Sequence, residues 1–331
     1  MEQKKLNKDI FNIRSDNEFN ELALKIFQYQ YLHNALYQKF VDYNIKNIKI
    51  IDHYKKIPFL PIEFFKTHKV ICEDRKVEKV FLSSGTTGSK SSQHYVSNLS
   101  LYKKSFNKCF EFFYGKPDQF LILALLPSYL EREGSSLVYM VEKLIQSSGY
   151  KSSGFYLNNY DELVKMLEKS NIQTKGQKII LLGVSYALLN LAEKYKLNLQ
   201  NTIIIETGGM KGRRKELIRE DLHKILCERF NVKTIHSEYG MTELLSQAYS
   251  KGNGIFNTPP WMKVLIRDTN DPLYLLPENK TGGINIIDLA NIYSCSFIAT
   301  QDLGKKHKNG SFEVLGRFDT SDIRGCNLMI D

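Results

Sequence analysis

The sequence lacks the features of a secreted, membrane-spanning or disulfide-stabilised protein. Its five cysteines, an odd number, lie far apart and form no Cys-x-x-Cys pair, so a disulfide framework is not expected. Residues 1–13 are polar and of mixed charge, unlike a signal peptide. No apolar run approaches the roughly 20 residues that a membrane-spanning helix needs. We therefore predict a cytoplasmic protein with no membrane span.

The sequence also lacks the features of a nucleic-acid-binding protein. Its formal net charge is +10, but the lysines are spread along the chain and no long basic tract stands out. No aromatic-basic stripe or known nucleic-acid motif is present. The positive charge is typical of a solvated basic surface, and we predict no nucleic-acid partner.

The 331 residues are enough for one large domain or two smaller ones, and they contain no internal repeat. From about residue 75, apolar strand-like runs alternate with helical patterns, which predicts an α/β fold with mostly parallel sheets. After about residue 250 the helical patterns fade, and short strands predict a β-rich closing subdomain at about residues 255–331. The predicted strands are 80–82, 120–126, 179–182, 202–206, 264–267, 283–288, 296–299 and 312–315, and the predicted helices are 99–113, 135–148, 184–195 and 213–229.

Residues 1–70 are predicted to form a helical layer packed on a main domain of residues 71–331. Ser15 and Glu18 fit a capping box, and apolar residues at helical spacing continue to about Tyr43. Pro58 and Pro61 then require an extended segment.

A glycine-rich stretch at residues 83–90 follows the first predicted strand of the main domain. Its glycines permit a tight turn, and its hydroxyl and N–H groups can donate to phosphate oxygens, with Lys90 adding a positive charge. It is not a Walker A loop, because the Gly-Lys-Ser/Thr ending is missing. A Ser/Thr/Gly hairpin turn is the other interpretation. The residues concerned are Ser83, Ser84, Gly85, Thr86, Thr87, Gly88, Ser89 and Lys90.

Three further segments are predicted to be loops at the carboxyl ends of strands, where active sites of α/β sheets gather. Residues 207–212 contain Gly208 and Gly209, which permit contact with a flat ring. Residues 236–243 offer a tyrosine, a threonine and a carboxylate suited to Mg²⁺. Residues 300–304 contain Asp302, which could accept hydrogen bonds from a sugar. Each segment alone could be an ordinary turn or strand end, but their order describes a nucleotide site.

That order resembles the adenylate-forming superfamily of acyl-CoA synthetases, luciferases and peptide-synthetase adenylation domains. Within it, the chain is most similar to acyl-protein synthetases of the LuxE type, from about residue 55 to the end. The residues that carry the resemblance to this subfamily lie at 57–61, 126–132, 136–140, 207–213, 259–261 and 324–328.

The resemblance implies an enzyme that uses ATP and Mg²⁺. It implies that residues 83–90 hold the phosphates, and that Gly208, Gly209 and Tyr239 contact the adenine. Thr242 would contact the α-phosphate, and Glu243 would hold Mg²⁺. Asp302 would bind the ribose, with Arg317 supporting that end of the nucleotide.

The chain departs from the large superfamily after Arg317. Typical members continue into a small mobile C-terminal domain that carries a catalytic lysine, and this sequence is expected to lack that domain. The candidates to replace the lysine are Lys211, Arg213, Arg214 and Arg324.

Cys326 is the candidate acyl-carrying nucleophile. Arg324 would favour its thiolate, and the resemblance implies acylation of a cysteine near the C-terminus. A buried small residue on a terminal strand is the other interpretation. The resemblance implies a fatty acid substrate and an acyl-accepting partner such as a reductase or carrier. The alternatives are an acyl- or aryl-CoA ligase like phenylacetate-CoA ligase, or a non-catalytic subunit that retains the fold.

Overall fold

A computed structural model describes residues 2–83, 90–127, 134–157, 159–173, 178–208 and 217–318. Within these ranges the helices are α1 (Glu2–Asp9), α2 (Asp16–His33), α3 (Ala35–Asn44), α4 (Phe64–Thr67), α5 (Leu99–Tyr114), α6 (Ser136–Ser147), α7 (Tyr160–Gln173), α8 (Ser185–Lys194) and α9 (Arg219–Phe230).

The strands in the same ranges are β1 (Leu60–Pro61), β2 (Lys79–Leu82), β3 (Gln93–Val96), β4 (Phe120–Leu125), β5 (Gly154–Tyr156), β6 (Lys178–Val184) and β7 (Thr202–Thr207), followed by β8 (His236–Tyr239), β9 (Ala248–Ser250), β10 (Ile255–Asn257), β11 (Met262–Arg267), β12 (Thr281–Asp288), β13 (Phe297–Lys306) and β14 (Phe312–Arg317).

One mixed sheet forms the centre of the described fold. Strands β5, β4, β6, β7 and β8 pair in parallel in that order. From β8 onward the sheet continues antiparallel through β9, β10, β14, β13, β12 and β11. Every residue of β4 is buried, as expected for a central parallel strand covered on both faces. The predicted α/β class, with parallel strands followed by a β-rich region, is confirmed.

The predicted strands and helices are present, with some differences. Short strands β3, β5, β8, β9 and β10 and helix α7 were not predicted. Residues 236–239 and 300–304 were predicted to be loops, which is wrong: the first is β8 and the second lies inside β13. These strands carry polar residues, so their strand character depends on pairing with neighbours rather than on an apolar pattern.

The N-terminal residues form helices, as predicted, but not one continuous helix from residue 15 to 43. Ser15 caps α2 by accepting a hydrogen bond from Glu18 N at 3.2 Å. The chain leaves helical geometry at Asn34, whose Oδ1 accepts from Tyr37 N at 3.1 Å while its Nδ2 donates to Ser294 O at 3.1 Å. Asparagine side chains compete with helical backbone bonds in this way, which explains the break.

The segment containing Pro58 and Pro61 is extended where it forms β1, as predicted. Leu60 and Pro61 pair in parallel with Ile298 and Ala299 of β13. This short strand joins the N-terminal residues to the antiparallel part of the sheet. The domain boundaries near residues 70 and 255 stay predictions. None of the helices in the described ranges is both long and apolar enough to span a bilayer.

Gln30 of α2 joins the N-terminal helices to the segment between β12 and β13. Its side chain is buried, and its Nε2 faces Asn291 O, Ile292 O and Ser296 Oγ at 3.0, 2.9 and 3.1 Å. Its Oε1 accepts from Ser296 N at 3.0 Å. These backbone groups have no access to water and depend on the glutamine amide.

We expect Gln30→Met to lower the free energy of unfolding by about 1–3 kcal/mol, because it leaves buried polar groups without partners. Gln28→Met, on the exposed face of the same helix, is the matched control and should change stability by less than about 0.5 kcal/mol. Urea denaturation of both variants measures the difference. Equal stabilities would contradict this role of Gln30.

Candidate functional site

The carboxyl ends of β7 and β8 form one edge of the candidate site. The two strands pair with Thr207 opposite Glu238, so Gly208 and Tyr239 follow side by side. The Thr207 hydroxyl donates to the Glu238 carboxylate. Gly208 has φ +66°, a left-handed conformation that favours glycine. Gly208, which was predicted to permit contact with a flat ring, therefore lies at the carboxyl edge of the parallel strands, as expected.

Glu206, one residue before Thr207, fixes the end of β7. Ser185 Oγ lies 2.7 Å from its carboxylate and 2.5 Å from Gly208 O. Arg219 Nε and His223 Nε2 each lie 3.6 Å from Oε1. Burial acts to raise the pKa of Glu206, but the His223 and Ser185 hydrogen bonds and the Arg219 charge outweigh it and leave the pKa below its usual value. The Glu206 carboxylate is therefore ionised, and its contacts with Ser185, Arg219 and His223 fix the carboxyl end of β7.

Tyr239 and Asp302, which are 63 residues apart in the chain, are in direct contact. The tyrosine hydroxyl donates to Asp302 Oδ2 at 2.7 Å. Burial, followed by the charge of Asp302, raises the pKa of Tyr239 well above its usual value and keeps the hydroxyl protonated. The ring packs edge-on against Phe256 and Phe312, with centroids 5.9 and 5.6 Å away.

Arg317 completes this group from the next strand. β13 and β14 pair with Asp302 opposite Arg317, and Arg317 Nε lies 3.4 Å from Asp302 Oδ1. The arginine side chain is 81% exposed, whereas that of Asp302 is only 10% exposed. A carboxylate has about four acceptor positions, so Asp302 can still accept from a ligand. The structure therefore brings three predicted nucleotide-binding residues together.

Thr242 and Glu243 lie in a turn closed by a hydrogen bond from Leu244 N to Met241 O at 3.1 Å. Glu243 is only 5% exposed. Burial raises the pKa of its carboxyl, opposed by the Ser92 side chain, its own backbone and the charges of Arg317 and Lys66. Within the described ranges it takes part in no ion pair. A buried carboxylate with no cation within ion-pair distance is suited to holding a metal cation.

The glycine-rich stretch lies between two paired strands of a separate two-stranded sheet. The strand predicted before it is β2, but β2 pairs antiparallel with β3 and does not belong to the parallel sheet. Ser83 N donates to Ser92 O at 3.0 Å, and Ser83 Oγ accepts from Ser92 N at 2.8 Å. Lys90 is exposed.

Several predicted site residues lie outside the described residues. Their roles stay predictions. They are Ser84, Gly85, Thr86, Thr87, Gly88, Ser89, Gly209, Lys211, Arg213, Arg214, Arg324 and Cys326.

Comparison with known proteins identifies the family. Residues 8–331 match the family "Acyl-protein synthetase, LuxE". The chain belongs to this family. A curated relative, the long-chain-fatty-acid–luciferin-component ligase of Vibrio harveyi, is 23% identical over 336 residues, which cover 93% of this chain and 86% of the relative. The predicted resemblance and the predicted ligase class are confirmed.

Solved structures share the fold of this chain. A 2-hydroxyisobutyryl-CoA ligase in complex with its acyl-AMP and CoA matches with a TM-score of 0.64 at 11% identity, over 93% of this chain and 72% of that one. ATP-bound MatB from Rhodopseudomonas palustris matches with a TM-score of 0.55 at 17% identity, over 73% of this chain. The chain covers 48% of the MatB chain. The predicted fold of adenylate-forming enzymes is confirmed.

Four buried polar residues that support the candidate site were not predicted from the sequence: Ser92, His94, Glu206 and Asn291. Glu206 carried a usable signal, since a carboxylate directly after the apolar run 203–205 is unusual in a buried strand. The other three carried none, because their partners lie far away in the chain. Within the described residues, no cluster of three or more His, Cys, Asp or Glu side chains could hold a metal by itself.

His236, the first residue of β8, makes a pH-dependent contribution to stability. Its Nδ1 lies 3.2 Å from the Tyr114 hydroxyl, and the two rings stack. Burial, followed by the charge of Lys251, lowers the pKa of His236 to about 4. An unfolded histidine has a pKa of about 6.5, so between these values the unfolded chain binds the extra proton. The stability due to neutral His236 is therefore present above pH 6.5 and lost as the pH falls towards 4.

We expect the wild type to lose stability relative to His236→Gln as the pH falls from 6.5 to 4.5. Only the wild type has an imidazole at this position, and it must stay unprotonated in the folded state. Denaturant unfolding of both proteins at several pH values measures the difference. Above pH 7 the difference should be constant, which serves as the internal control. A difference that stays constant down to pH 4.5 would contradict the burial argument.

Proposed function

We propose that this protein uses ATP to activate a carboxylic acid of the fatty acid class as an acyl-adenylate. It then transfers the acyl group to Cys326 and on to a partner protein such as a reductase or carrier. The observation that carries the proposal is the contact of Tyr239, Asp302 and Arg317 beside the buried Glu243. The family supports it, as does the name of the Vibrio harveyi relative, a ligase of long-chain fatty acids.

The nucleotide would lie against the carboxyl ends of β7 and β8. Gly208 leaves room for the adenine beside Tyr239, and Asp302 would accept hydrogen bonds from the ribose hydroxyls. Arg317, largely exposed beside Asp302, supplies positive charge at the same end of the site. The Tyr239 hydroxyl holds Asp302 in place, so the carboxylate is oriented before the ligand binds.

The phosphates would lie between the glycine-rich stretch and the Thr242–Glu243 turn. Residues 83–89 would donate hydrogen bonds to phosphate oxygens, and Lys90 would add positive charge. The Thr242 hydroxyl would contact the α-phosphate, and Glu243 would hold Mg²⁺. Bound there, Mg²⁺ supplies positive charge that neutralises the phosphate oxygens. The buried position of Glu243 keeps water from competing for its carboxylate.

The proposed chemistry has two steps. An oxygen of the substrate carboxylate attacks the α-phosphorus, the bond to the β-phosphate oxygen breaks, and pyrophosphate leaves with the electron pair. The Cys326 thiolate, having lost its proton, then attacks the carbonyl carbon of the acyl-adenylate. The carbon–oxygen bond to AMP breaks, and a thioester remains. Fixed hydrogen-bond donors stabilise the charge that develops in the first step.

The other cysteines are poorly suited to carry the acyl group. Cys72, Cys109 and Cys295 are buried, and burial raises the pKa of each thiol, that of Cys295 to about 12. Burial also raises the pKa of Cys227, which is partly exposed. Since the thiolate is the reactive form, these environments disfavour attack. This supports Cys326 as the acylated residue.

We expect Glu243→Gln to reduce carboxylate-dependent pyrophosphate release by at least about 100-fold, the scale of losing one fixed electrostatic group. The fold should be retained, because the change removes a charge whose burial is unfavourable. Glu21→Gln, on the exposed face of α2, is the control and should keep full activity. A folded Glu243→Gln enzyme with the wild-type rate would exclude the proposed role.

We expect Cys326→Ser to make acyl-adenylate but to accumulate no hydroxylamine-labile acyl-protein. Mass spectrometry after incubation with ATP, Mg²⁺ and a fatty acid locates the adduct in the wild type. Cys227→Ser, which changes the partly exposed described cysteine, should label like the wild type. Labelling of Cys326→Ser at the wild-type level would refute the covalent step, and product formation that requires CoA would favour a CoA ligase.

A further inference from the structure

Strand β3 and the residue directly before it, which follow the glycine-rich stretch, carry two buried polar side chains near the Thr242–Glu243 turn. His94 in β3 is 1% exposed and Ser92 directly before β3 is 3% exposed, and the alternation of buried and partly exposed residues runs through both. The Ser92 side chain acts on the Glu243 carboxyl as a hydrogen-bond donor would, lowering its pKa against the effect of burial. His94 Nδ1 lies 2.7 Å from Thr242 O and donates to it, since a carbonyl oxygen can only accept.

Asn291, between β12 and β13, holds the next carbonyl of the turn. Its Nδ2 donates to Glu243 O and to Cys295 O, both at 2.8 Å. Two carbonyl acceptors fix the orientation of the amide, so its Oδ1 faces His94 Nε2 at 3.1 Å. A neutral ring with its proton on Nδ1 has only an acceptor at Nε2, so the contact with Asn291 Oδ1 is not a hydrogen bond. The ring is therefore fixed at the turn by the Nδ1 bond to Thr242 O and packs against Asn291.

The turn has few other contacts that could fix it. Among the described residues, neither Thr242 O nor Glu243 O accepts a backbone hydrogen bond. Asp288 secures the residues that follow by accepting from Leu245 N at 2.8 Å and Ser246 N at 2.9 Å. The peptide units of Thr242 and Glu243 are therefore oriented by side chains from elsewhere in the fold.

We propose that Ser92 and His94 are positioning residues, which align Thr242 and Glu243 with each other and couple the turn to the glycine-rich stretch through β3. This rests on the proposed function, because it assigns the alignment to phosphate transfer. Ser83 and Ser92 pair across the open end of the hairpin, so the same strand that reaches the turn also begins at the phosphate-binding segment. A displacement of about 1 Å at such a site can cost about 100-fold in rate.

Two amide substitutions separate the contacts of His94. The side-chain nitrogen of asparagine can take the place of Nδ1, whereas that of glutamine can take the place of Nε2. We expect His94→Asn to keep most of the wild-type kcat for pyrophosphate release. We expect His94→Gln to lower kcat by about 100-fold with little change in the Kd for ATP, because the Tyr239–Asp302 end of the site is unaffected.

A second readout does not depend on turnover. In wild-type protein, ATP with Mg²⁺ should raise the unfolding temperature more than ATP alone. His94→Gln and Ser92→Ala should lose this Mg²⁺-dependent increment and keep the part due to ATP alone. Ser92→Ala removes only one hydroxyl group. It therefore still tests the positioning role if the His94 variants do not fold. The control is Tyr37→Phe, which loses a buried hydrogen bond to Pro58 O at 2.8 Å and none to the turn, and which should keep both kcat and the increment.

The outcomes distinguish this inference from the proposed function. If the wild type is active, and His94→Gln and Ser92→Ala match it in kcat and in the Mg²⁺-dependent rise in unfolding temperature, the inference about Ser92 and His94 is wrong. The proposed function would still stand. Loss of kcat in His94→Asn as large as in His94→Gln would overturn the role of the Nδ1 contact. A wild type that releases no pyrophosphate with any fatty or aryl acid would overturn the proposed function.

Discussion

The pairing of β8 is the interaction on which the rest of this structure depends. This four-residue strand is parallel to β7 on one side and antiparallel to β9 on the other. It therefore joins the helix-covered parallel strands to the antiparallel strands in one sheet. Tyr239 ends β8, and the turn with Thr242 and Glu243 follows directly. Any change in the register of β8 would move the whole turn, since a shift of one residue reverses the face of every side chain.

Buried charges are concentrated beside this strand, and each is held differently. Glu206 has Arg219 and His223 close by, so its pKa is lowered despite burial. Asp288 accepts four hydrogen bonds from Leu245, Ser246 and Ala290, yet burial still raises its pKa. Glu243 forms no ion pair within the described ranges, and the Ser92 side chain, its own backbone and the charges of Arg317 and Lys66 act against the rise in its pKa. It is therefore the buried carboxylate of the turn that lacks a cation in direct contact.

The segment between β12 and β13 serves both stability and the candidate site. Gln30 of α2 and Asn34, between α2 and α3, donate hydrogen bonds to its backbone, and Asn291 within it donates to Glu243 O. The N-terminal helices thus contact the backbone of the residue that orients the turn. Such buried polar networks favour one arrangement over others, because every group that loses its partner is costly.

Local sequence determined much of this protein. The apolar runs of β4, β6 and β7, the Ser15 cap and the extended prolines follow from residue type and spacing, and the order of the site motifs indicated a nucleotide site. Tertiary structure decided the rest. The break at Asn34 depends on Ser294, the strand character of Asp302 depends on its partner Arg317, and the contacts of His94 join residues about 150 and 200 positions apart. Local pattern carries no information on such pairs, because their energy exists only once distant segments are packed together.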